Sequence, residues 1–62
     1  MDFQLGEKVK WMAGQIEARG CFLEDGENEG EAIIVVHYVG NRNQDGRISM
    51  VRKSLLKLDI NE

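Results

Sequence analysis

Proline is absent from this chain, cysteine and histidine occur once each, and only four of its 62 residues are aromatic. Without proline there is no ring-locked turn, so the seven glycines must do the punctuating. The lone thiol, Cys21, forbids a disulfide within one chain and points to a reducing compartment. Cys21 with His37 cannot supply the four ligands of a structural zinc site, although two copies of each across a symmetric dimer could. The longest apolar run, Ala32 to Val36, is far too short to span a bilayer. Residues 1–7 offer neither the basic segment nor the apolar segment of a secretory signal. A cytoplasmic protein with no membrane partner is expected.

What is present is charge, unevenly placed. Residues 1–31 carry eight acids against three bases, a net of −5, whereas residues 32–62 carry three acids against five bases, a net of +2. An overall charge of −3 argues against indiscriminate DNA coating but leaves room for a local basic strip. The length fits one domain, 1–62, and a domain this short must use nearly every large apolar side chain for packing or share a surface with another molecule.

Periodicity predicts strands. In Glu7 to Ala13, Val9, Trp11 and Ala13 alternate with Lys8 and Lys10, the period of a half-buried strand. After Gly14, the stretch Gln15 to Gly20 alternates again, with Ile16 and Ala18 inward, until the pattern breaks at Cys21-Phe22-Leu23. A bulge or bend at Gly20 accounts for the break. Residues 24–31 hold five carboxylates and two glycines and are expected to form a mobile acidic surface loop. Ala32 to Val39 is dense in β-branched residues and apolar on both faces, as a central strand covered on both sides would be. Gly40 to Gly46 is expected as the next turn, with Asp45-Gly46 as its hairpin signal, and Arg47 to Val51 as the returning strand. The tail carries both helical spacing (Val51, Leu55, Leu58) and strand spacing (Leu56, Leu58, Ile60). A short 3₁₀ turn at Lys53-Ser54-Leu55 before a last strand reconciles the two; a C-terminal helix, giving an α+β domain, is the alternative.

This all-β order resembles the small five-stranded SH3-like barrels, in particular the Tudor-like and KOW-like groups. Leu5-Gly6-Glu7-Lys8-Val9-Lys10-Trp11, Gly14-Gln15-Ile16, Ala32 to Val36 and the closing Ile48, Val51 and Leu55-Leu56-Lys57-Leu58 carry the likeness, over about residues 5–60. It implies a barrel packed around Trp11, Ile34, Val36 and Ile48. Such barrels host many unrelated roles, so the likeness speaks to fold. The opening also looks like that of the plasmid-borne type II dihydrofolate reductases. Their Val-Gln-Ile-Tyr stretch is matched here by Ile48-Ser49-Met50-Val51, which lacks both the amide and the phenol that would hold folate and nicotinamide.

No catalytic, metal or cofactor residue is expected. Two segments, beginning at Asp25 and at Asn41, mimic the opening of a calcium loop, but their twelfth positions are Val36 and Arg52 where a glutamate is needed. Cys21 and His37 could form a nucleophile and base only with an orienting partner, and none is recognisable. Trp11 and Phe22 form a candidate aromatic surface for a methylated cation, against the plainer reading that so small a core needs both. Arg42, Arg47, Arg52, Lys53 and Lys57, with Tyr38 for stacking, form a candidate strip for phosphate or partner contact, against the plainer reading of a solvated face. The function expected is a non-catalytic interaction module for a protein or peptide partner, or for a second copy in a homodimer. The alternative is a nucleic-acid-binding accessory protein using the basic second half.

Overall fold

A computed structural model describes residues 3–60, and the outermost residues of the expected domain, 1–2 and 61–62, lie outside the described part. The chain folds as β1 (Lys8–Ala13), β2 (Ile16–Asp25), β3 (Glu31–Val39), β4 (Arg42–Arg52), a 3₁₀ turn (Lys53–Leu55) and β5 (Lys57–Leu58). The five strands form one antiparallel sheet in the order β4-β3-β2-β1-β5. The all-β class and the 3₁₀ turn before a last short strand are as the sequence predicts, and the alternative C-terminal helix does not form. Closure is not: β4 and β5 are the two edges of the sheet and do not pair with each other, so the sheet curls without becoming a barrel.

Alternation decides the core. Val9 and Trp11 of β1, Ala18 and Phe22 of β2, Ala32, Ile34 and Val36 of β3 and Val51 of β4 all bury on one face, joined by Phe3 and Leu56 from the flanking segments. Phe3 stacks on Phe22 with ring centroids 5.9 Å apart. Backbone bonds hold the segment ahead of β1 against β2, with Gly6 N donating to Phe22 O and Phe22 N donating to Glu7 O, both at 2.9 Å. At the other end, Lys53 N donates to Gly30 O at 2.8 Å while its ammonium pairs with Asp25, which seats the 3₁₀ turn on the β2–β3 loop.

Several expectations are corrected. Strand β3 is covered on one face only: Ile33 and Val35 are half-buried on the outer side, because no second layer lies there. Ile48 is not a core residue but 64% exposed, since it pairs with Val35 and so shares that outer face. Ile16 and Ala13, at the β1–β2 hairpin end, are exposed as well. The acidic stretch is shorter as a loop, because β2 runs on to Asp25 and β3 begins at Glu31. The β3–β4 turn is the two-residue Gly40-Asn41, not Asp45-Gly46. Gly40, at φ +60, takes the first central position, where a tight hairpin turn of this kind requires positive φ. Asp45 (φ 52) and Gly46 (φ 73) use the same conformation to form a bulge inside β4, where residues 44–46 loop out opposite His37. Asp45 N donates to Asn43 Oδ1 at 2.7 Å within it.

A register irregularity lies beside Gly20, as the sequence predicts, but β2 itself keeps its alternation through the buried Ala18, Gly20 and Phe22 and breaks it at Leu23, where a second shift falls between Phe22 and Glu24. Register shifts between Arg19 and Gly20 because β3 carries His37 as an extra residue there. β3 also runs very close at this point: a Cβ on Gly20 would sit 2.2 Å from Val35 O.

Candidate functional site

Residues directly opposed in antiparallel strands point to the same face, so the register reads the outer surface row by row. The first row is Lys57–Lys10–Arg19–Tyr38–Asn43 and crosses all five strands. The second is Lys8–Cys21–Val35–Ile48. The third is Glu24–Ile33–Met50, and Glu31–Arg52 follows. This outer face therefore has two characters. On β1, β2 and β5 it carries the cations Lys8, Lys10, Arg19 and Lys57 beside Met12, Glu17 and Glu24; on β3 and β4 the rows through Val35 and Ile33 are apolar.

The apolar part is a block of two cross-strand pairs, Val35 with Ile48 and Ile33 with Met50. Ile48 is 64% and Met50 55% exposed, which is costly for a monomer of this size unless the surface is used. It lies along β4, whose outer edge has no strand partner among the described residues.

The cationic part centres on a shallow depression of about 250 Å³ lined by Lys8, Arg19, Cys21, His37, Tyr38 and Asp59. A register shift lies beside it, between Arg19 and Gly20, where β3 carries His37 as an extra residue, and both His37 and Tyr38 are exposed. Tyr38 is 45% exposed. One carboxylate competes directly, with Glu17 Oε1 3.7 Å from Arg19 Nε, a half-exposed pair of little energetic weight.

The basic strip expected from the sequence is dispersed. Arg42, Arg47 and Arg52 sit on the β4 edge, and Lys57 sits on β5 at the opposite edge, four strand steps or roughly 19 Å away. Arg47 opposes the buried Val36 and Arg52 opposes Glu31, so the two arginines project to opposite faces. Lys53 is turned to Asp25. Of the expected strip only Lys57 and Tyr38 share a row, and Lys10 and Arg19 join them from a half that is acidic in sequence, with Lys8 in the next row. The missed signal was pairing order, since Lys10 and Arg19 look like ordinary outward positions of two strands.

The candidate aromatic surface is also corrected. Trp11 and Phe22 are 8% and 5% exposed, packed into the core, and present no open ring face for a cation. Cys21 and His37 do line one depression, yet among the described residues no hydrogen bond joins them and no third group orients the imidazole. Among the described residues no cluster of three metal-ligating side chains occurs; Asp25 is taken by Lys53, and Glu31 Oε1 is buried without a hydrogen-bond partner. No helix among them is long and apolar enough to cross a membrane.

Compared with protein-family models, with curated proteins and with solved structures, the chain gives no significant match in any of the three.

Proposed function

We propose that this chain is a non-catalytic interaction module that takes an extended segment of a protein partner along the free edge of β4. The observation that carries the reading is the outer-face block of exposed Ile48 and Met50 with half-buried Ile33 and Val35, beside an edge strand that has no strand partner among the described residues. A segment adding to this edge continues the sheet, and its alternate apolar side chains extend the block. Arg47 and Arg52 bracket the usable stretch, so the partner's complementary flanks are acidic. The bulge at residues 44–46 limits pairing to the part of β4 beyond it, which favours a short peptide over indiscriminate edge-to-edge aggregation. The strand order, with a 3₁₀ turn ahead of the last strand, supports kinship with the Tudor-like and KOW-like SH3 barrels in an open form. The unpaired Cys21 suits a cytoplasmic location.

The test is a titration of the labelled protein with the peptide acetyl-Glu-Val-Thr-Val-Lys-Val-Glu-amide, followed by backbone amide shifts. Shifts confined to β4 and the outer residues of β3, and weakened at least about tenfold in an Ile48→Lys, Met50→Lys variant, are expected. Shifts scattered over the surface, or equal binding by the variant, would refute it. A concentration-dependent dimer abolished by the same variant would instead give the edge to a second copy of this chain.

A further inference from the structure

We propose that the cationic part of the outer face is a separate site for single-stranded nucleic acid, with the phosphates on the Lys57–Lys10–Arg19 row and a base on Tyr38. Three cations and a phenol stand in one line across four adjacent strands, a span of roughly 14 Å that suits a few extended nucleotides. The depression next to the line gives a base somewhere to go. Tyr38 and His37 line it together with the cations Lys8 and Arg19, the small residues Gly20 and Cys21, and one carboxylate, Asp59. Flat, exposed aromatic rings beside cations are what unpaired bases and their phosphates recognise, and a sheet face offers no ridge to enter a duplex groove.

The fold also resolves the objection from net charge. The five carboxylates Glu24, Asp25, Glu27, Glu29 and Glu31 all lie at the end of the sheet that carries the β2–β3 loop. The Lys10–Arg19–Tyr38 row lies toward the opposite end, near the two tight hairpins, with Glu17 beside Arg19 and Asp59 in the depression. Local field, not total charge, governs phosphate attraction over a Debye length of about 8 Å at physiological salt.

The experiment is fluorescence anisotropy of a labelled oligothymidylate of about twelve nucleotides, a length within the usual range for small β-sheet binders. With four cations engaged, Lys8, Lys10, Arg19 and Lys57, log affinity should fall with log salt at a slope of about −3, from about −0.7 per single-strand phosphate contact. Tyr38→Ala should weaken binding about tenfold through the lost stack. Lys10→Gln with Lys57→Gln should reduce both affinity and slope, while Arg42→Gln with Arg47→Gln, on the other edge, should change affinity less than about twofold. Unchanged Trp11 fluorescence in each variant separates lost binding from lost folding. Absence of binding at low salt would overturn the proposal, as would loss only in the Arg42, Arg47 variant. Competition by polyglutamate as strong as by oligothymidylate, with Tyr38→Ala inert, would overturn it in favour of an acidic peptide.

Discussion

Replacing Gly20 by alanine tests the tightest point of the fold. A Cβ there would lie 2.2 Å from Val35 O, 3.0 Å from Ile34 Cγ2 and 3.0 Å from Val35 C. Two of these three are backbone atoms and cannot swing aside, so β3 must retreat by about 1 Å to restore a normal contact. That retreat stretches the β2–β3 ladder around the bulge, where a weakened backbone hydrogen bond costs about 1 kcal/mol. Overpacking of this kind adds about 1–3 kcal/mol. Against it stands a gain of about 0.4–1 kcal/mol from stiffening the unfolded chain. The expected net loss is about 2–3 kcal/mol. A domain of this length has in all only about 3–9 kcal/mol, from about 0.05–0.15 per residue. The midpoint of thermal unfolding should therefore drop by about 10–20 °C, at about 4–8 °C per kcal/mol. Trp11, the single tryptophan and buried in the core, reports unfolding in urea. Gly14→Ala is the control, since that site has positive φ (+69) but open space, and it should lose only about 1 kcal/mol. A Gly20→Ala protein within about 0.5 kcal/mol of the parent would refute the close approach of β3 and with it the geometry of the depression.

Two further outcomes check the faces and the bulge. Ile34→Ala should cost about 2–5 kcal/mol in urea unfolding because the side chain is fully buried, whereas Ile48→Ala, on the neighbouring strand but 64% exposed, should stay within about 0.5 kcal/mol; equal losses would mean the register of β3 with β4 is wrong. Asp45→Val should lose about 1–2 kcal/mol because a β-branched residue resists φ 52, while Asp45→Gly should be close to neutral; a harmless valine would refute the positive φ at Asp45 and with it the bulge at residues 44–46.

Much of the fold was legible in the chain because strand periodicity is local. Lys8 to Trp11 alternates, the β-branched run 32–36 can hardly be anything but strand, and the double spacing of the tail resolves into a 3₁₀ turn with Leu56 buried behind it. Gly20 marked the place of a register shift because β3 approaches the bare backbone closely there, although the extra residue, His37, is on β3 and β2 alternates straight through the glycine. The hairpin was not legible for a specific reason. Gly40-Asn41 and Asp45-Gly46 both tolerate positive φ, and the choice depends on which one lets Ala32, Ile34 and Val36 face the core opposite Val51.

The residues themselves determined that this would be a small all-β domain, since a period of two admits little else. Only the tertiary structure decided what its outer face holds. Lys10, Arg19, Tyr38 and Lys57 lie up to 47 positions apart in sequence and meet in one row because β1 lies between β2 and β5. Pairing order is set by the whole core at once, through closure of loops and burial of Trp11, Phe22 and Ile34 together. No stretch of ten residues contains it.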